Sequence, residues 1–168
     1  LVLQNGKTTL DLDGYYIDAA NDDVLHVGSD ADVTVKNGNL KSSSSQPVLV
    51  QGTLTLENVF VSYGYFPALG ITADGGKVIV NGSGSTIGGI ALKNGGYAEI
   101  HDGTVNDINV NSGCNAKLLG GSVNKVFVED GSLRLFDMLA DDFSFTTEFS
   151  IDDYMIDGAG MYPIFKLN

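Results

Sequence analysis

The stretch that decides the fold runs from Ile90 to Asp142. Ile90–Asp107 reads I-A-L-K-N-G-G-Y-A-E-I-H-D-G-T-V-N-D, Ile108–Lys125 reads I-N-V-N-S-G-C-N-A-K-L-L-G-G-S-V-N-K, and Val126–Asp142 reads V-F-V-E-D-G-S-L-R-L-F-D-M-L-A-D-D. Each line holds an apolar-x-apolar triplet, a Gly, a second such triplet, a short Gly/Asn/Asp break and a single apolar residue. Glycines 95, 113 and 131 lie 18 residues apart. A triplet of period two is a short strand with two side chains on one face. Gly, Asn and Asp supply the left-handed or sharply bent backbone that closes a corner. One unit is therefore three short strands and three corners. Alone it cannot bury its apolar face, but stacked units bury a continuous column.

The same grammar extends toward the other end. Units begin at Leu1, Leu25, Val48, Leu69, Ile90, Ile108 and Val126, which makes seven. The step from second triplet to single apolar residue is five in Leu12–Ile17, Val35–Leu40, Leu56–Val61, Ile100–Val105 and Leu118–Val123. The fold expected is all-β: a single-stranded parallel β-helix of about seven coils over residues 1–142. Helical periodicity is nearly absent, with Met138–Asp142 read as one turn at most. Unit length falls along the chain, so Asp18–Val24, Lys41–Pro47 and Ser62–Ala68 read as protruding loops of the N-terminal half. Residues 143–168 leave the repeat and carry Phe143, Phe145, Phe149, Tyr154, Met161, Tyr162 and Phe165. An open solenoid end needs covering, so this stretch reads as an aromatic-rich cap or the start of a link to a following domain.

The alternation also sorts the side chains. Val78, Val80, Ile100, Leu118, Leu133 and Leu135 are expected inward. Ala91, Asn109 and Phe127 are expected outward on the first strand, and Glu99, Lys117 and Arg134 outward on the second. Asn37, Asn58, Asn81, Asp102, Gly120 and Asp137 read as one corner, with stacked amides along the axis.

Composition narrows the function. The 168 residues carry 9 Lys and Arg against 21 Asp and Glu, a formal net charge of -12. Nucleic acid and anionic membranes repel such a chain, and no apolar run is long enough to cross a bilayer. No membrane insertion and no nucleic-acid partner are expected, and self-repulsion favours a monomer. Neither an initiator Met nor a signal peptide opens the chain, so a mature product or an excised piece is expected. Cys114 is alone, which rules out an internal disulfide and leaves a small turn residue. Asp11-Leu12-Asp13-Gly14 has the look of a calcium loop's opening but lacks the further oxygen ligands and closing Glu. His26 and His101 have no partner at metal-ligand spacing. No metal, cofactor or catalytic set is expected. One tract stands out as a contact surface: Ser62-Tyr63-Gly64-Tyr65-Phe66-Pro67, with Phe60 alternating outward just before it. Phe60, Tyr63, Tyr65 and Phe66 could stack on sugars or on partner side chains.

Two resemblances follow from these residues. The repeat resembles the right-handed parallel β-helix superfamily that includes pectate lyases and polygalacturonases. Such enzymes carry Asp, Lys or Arg sets on one outer face, whereas this chain has one arginine, Arg134, and no paired-Asp motif. The likeness therefore implies a scaffold and not an activity. Val123–Phe145, with L-R-L-F-D-M-L-A-D-D-F-S-F (Leu133–Phe145) at its heart, is similar to the closing coil of β-helix segments in large surface proteins of Gram-positive bacteria. Leu135, Asp137, Met138, Leu139, Ala140, Asp141, Phe143 and Phe145 carry that cadence. This likeness implies a module that is extracellular, on the cell surface or in the cell wall. The function expected is a non-catalytic stalk or adhesion module that meets a host or cell-surface glycan or protein. The alternatives are a carbohydrate-binding or carbohydrate-active domain and a piece of a trimeric fibre.

Overall fold

A computed structural model describes residues 1–19, 23–43, 47–63, 70–128, 132–135, 150–157 and 160–166. They form a parallel β-solenoid of about five turns with no helix among them. Among the described residues no helix is long and apolar enough to cross a membrane. In chain order the strands are β1 (Val2–Asp11), β2 (Tyr16–Ala19), β3 (Leu25–Ser42), β4 (Val48–Val50), β5 (Thr53–Tyr63), β6 (Ile71–Asp74), β7 (Lys77–Asn81), β8 (Thr86–Lys93), β9 (Tyr97–Ile100), β10 (Thr104–Val110), β11 (Asn115–Leu118), β12 (Ser122–Val128), β13 (Ser132–Leu135), β14 (Ser150–Asp157) and β15 (Gly160–Lys166).

Three parallel ladders run along the axis, one for each apolar segment of the repeat. The first joins the start of β3 to β4, β6 and the ends of β8, β10 and β12. The second joins the middle of β3 to β5, β7, β9, β11 and β13. The third stacks the single apolar residues: Ile17 on Leu40, Leu40 on Val61, then Ile87, Val105 and Val123. Inward side chains meet in one column. Val78, Val80, Ile100 and Leu118 are fully buried in it, as expected. Leu133 and Leu135 pair in register with Ala116 and Leu118; their side chains lie outside the described residues.

The fourth unit needs a correction. With the unit beginning at Leu69, alternation predicts Leu69 and Ile71 as its first inward pair. The register sets Val48 beside Ile71 and Val50 beside Ala73, so the triplet is Ile71-Thr72-Ala73. A small inward Ala is a weaker apolar signal than Leu69, and a shift of two residues preserves the face. The outward reading of Ala91 also changes. Ala91 alternates away from the column between Ile90 and Leu92, yet it is 2% exposed, and its ladder neighbour Thr72 is 3% exposed.

The corners explain the glycines. Gly95 and Gly113 adopt φ +84 and +75, which side chains disfavour. After the second triplet a left-handed residue recurs at Asp13, Asn37, Asn58, Gly82, Gly103 and Gly121. Asn and Asp tolerate this conformation better than other side-chain-bearing residues, so in the first coils they fill the position that glycine takes in the later ones. The single corner ladder expected from Asn37 to Gly120 is therefore displaced: Asn81 sits beside Glu57, and the position after it takes the turn. An amide stack does form elsewhere, where Asn124 Nδ2 donates to Asn106 Oδ1 at 2.9 Å between adjacent coils.

At the far end the pairing reverses. β14 and β15 form an antiparallel hairpin, and β15 lies antiparallel to β13 with Leu133 opposite Phe165. The turn expected at Met138–Asp142 lies outside the described residues.

Candidate functional site

Around the third ladder, the residues flanking each inward apolar residue point away from the column. Tyr16-Ile17-Asp18, Asn39-Leu40-Lys41 and Phe60-Val61-Ser62 lie side by side in register. Tyr16, Asn39 and Phe60 make one outward row, and Asp18, Lys41 and Ser62 make the next. Together these six line an open groove of about 270 Å³. Tyr16 is 69% exposed and Phe60 is 44% exposed, large values for aromatic rings on a folded surface. Further along, the first row continues as Thr86, Thr104 and Ser122, so the aromatic character is confined to the N-terminal half.

Of the four contact residues read from sequence, Phe60 is in this groove. Tyr63 ends β5, with its backbone beside Ser42; its side chain lies outside the described residues, as do Tyr65 and Phe66. Tyr16 and Asn39 were missed. Their signal was present, since aligning the single apolar residues Ile17, Leu40 and Val61 sets Tyr16, Asn39 and Phe60 in one file.

A second cluster surrounds Glu99 on the outer face of the second ladder. The register places Glu99 between Ile79 and Lys117, and Lys117 beside Arg134, the row read from alternation. Tyr97 Oη donates to Glu99 Oε1 at 2.7 Å, and Lys77 Nζ lies 3.1 Å from Oε2. Lys117 Nζ is 3.7 Å from Oε1 and His101 Nε2 is 3.6 Å from Oε2. Both ammonium groups also lie over the Tyr97 ring, at 5.3 and 5.7 Å from its centroid. The Glu99 side chain is 17% exposed. Burial pushes its carboxyl upward, but the Tyr97 hydroxyl, Lys77 and Lys117 more than offset this and hold it below the ordinary value. A carboxylate held ionised in this way is a poor proton donor at neutral pH.

No match to this chain is found among family models, characterised proteins or solved structures.

The remaining sequence candidates resolve into local structure. Asp11 Oδ1 accepts from the Asp13 backbone N–H and from Asn37 Nδ2, both at 3.2 Å, and Oδ2 lies 3.4 Å from Lys36 Nζ. Led by the Asn37 contact, these partners hold its carboxyl below the ordinary value. The Asp-Leu-Asp-Gly tract is thus a turn joined to the next coil. Among the described residues no group of three or more His, Cys, Asp or Glu could hold a metal ion. His26 Nε2 lies 3.2 Å from Gln51 Oε1 on the neighbouring coil. Cys114 is buried in the core, its Sγ 3.8 Å from the Ser112 carbonyl oxygen.

Proposed function

We propose that this chain is a non-catalytic, extracellular β-helix module of a bacterial surface protein, serving as stalk or adhesin. In this reading it is a right-handed, pectate-lyase-like helix of about seven coils, with residues 143–168 closing the stack. The observation that carries the non-catalytic reading is the state of Glu99. Its two oxygens are engaged by Tyr97, Lys77, Lys117 and His101, and no second carboxylate flanks it in its row. Acid–base work on a polysaccharide asks for converging groups with separated proton affinities. The tract Val123–Phe145 supports the surface-protein origin through its likeness to closing coils of Gram-positive surface proteins. The contact face is the third ladder of the N-terminal half, because the exposed rings of Tyr16 and Phe60 share one groove there, with exposed Tyr15 at the preceding corner.

The test is to incubate the purified chain with pectin, alginate, hyaluronan and host glycans. No reducing ends or unsaturated products should accumulate. Steady product release, abolished by Glu99→Gln or Lys117→Ala, would overturn the reading.

A further inference from the structure

The groove lined by Tyr16, Asp18, Asn39, Lys41, Phe60 and Ser62 has a geometry that selects one kind of ligand. Tyr16 and Phe60 are separated by one intervening strand, so their backbones are two strand spacings apart, about 9.6 Å. One sugar of an extended, equatorially linked pyranose chain advances by nearly the same distance as one coil, about 4.8 Å. Two rings placed two coils apart therefore meet every second sugar. Asn39 sits between them and offers both a donor and an acceptor. The neighbouring row supplies a carboxylate, an ammonium and a hydroxyl for ring hydroxyls. A protein hot spot would call instead for a contiguous, fully desolvated apolar pocket, and here polar groups interrupt and flank the aromatics in an open depression.

Charge settles the class further. Asp18 and Lys41 balance within the groove, while the chain as a whole carries -12. An anionic polysaccharide would be repelled by that field, whereas a neutral one is indifferent to it. We infer that the groove binds a neutral, extended glycan laid along the solenoid axis, with Tyr16 and Phe60 stacked on sugars two units apart. The inference rests on the reading of this face as the contact surface and names its ligand.

Calorimetric titration of the whole chain with cellohexaose, chitohexaose and cellobiose tests it. At least one hexasaccharide should bind, and at least about tenfold more tightly than the disaccharide, which cannot reach both rings. Tyr16→Ala and Phe60→Ala should each weaken binding by about fivefold or more. Phe127→Ala, an exposed aromatic on a different ladder, should leave binding unchanged. Absence of binding by both hexasaccharides overturns the inference, and so does binding that ignores the Tyr16 and Phe60 substitutions or the ligand's length. Such failures would leave the non-catalytic reading intact, since that reading fails only on product release.

Discussion

Leu118 shows what a single inward position contributes. It is fully buried, in register with Ile100 and Leu135 on the neighbouring coils. Leu118→Ala removes transferred surface and leaves a cavity that stacked strands close poorly, at a cost of about 2–5 kcal/mol. Chemical denaturation should show that loss with little change in the slope against denaturant. A corner residue is equally exacting for a different reason. A methyl group at Gly96 would overlap the backbone carbonyl oxygen of Ala73. Gly96→Ala should therefore destabilise by about 1–3 kcal/mol through overpacking, read as a lowered midpoint. Gly95, beside it, has open space around it but φ +84, so its Ala substitution is penalised by backbone strain. The repeat marked Gly95, which recurs as Gly113 and Gly131, but not Gly96, whose equivalents are Cys114 and Ser132. The crowding at Gly96 was not legible, because composition does not reveal which atoms a turn brings close.

Between coils the linkage is electrostatic as well as apolar. Glu99 gathers Lys77 from one neighbouring coil and Lys117 from the other. Its folded carboxyl is held below its ordinary value, so the folded state binds fewer protons than the unfolded chain in the acid range. This contribution is fully present above the unfolded carboxylate pKa of about 4.3 and is lost as pH falls through the depressed folded value. Thermal melts should thus drop on acidification below about pH 4, and Glu99→Gln should flatten part of that slope. A slope unchanged by Glu99→Gln would contradict the ladder. Sequence alternation found the Glu99, Lys117, Arg134 row because period two fixes an outward face. It missed Lys77 and Tyr97, which lie two positions away along the strand and reach Glu99 only through the length of their side chains. The same limit applies at the groove, where Phe60 was legible as part of an aromatic tract but Tyr16 required the third ladder's register.

For the whole molecule, the fold was written in the repeat because each coil states the same pattern and errors in one are corrected by its neighbours. The misplaced fourth triplet shows this: Leu69 in place of Ala73 shifted one strand by two residues and left the column undisturbed. The far end was less legible, since residues outside the repeat have no neighbour to set their register, and the antiparallel hairpin β14–β15 announced itself in no periodicity. With a net charge of -12, the chain should remain monomeric by light scattering at low salt; a concentration-independent dimer or trimer would contradict this.

The stacking of coils is the claim on which everything above depends, and proximity across it can be trapped chemically. Asn106 and Asn124 are 18 residues apart, with side chains hydrogen-bonded between adjacent coils. Parallel neighbours about 4.8 Å apart lie within the range that a disulfide can bridge. Asn115 is nearer to Asn106 in sequence but belongs to the second ladder. Under mild oxidation Asn106→Cys/Asn124→Cys should crosslink rapidly and Asn106→Cys/Asn115→Cys should stay reduced, with buried Cys114 unreacted in both. Rapid linkage of the 106/115 pair, or a 106/124 pair that stays reduced, would contradict the solenoid.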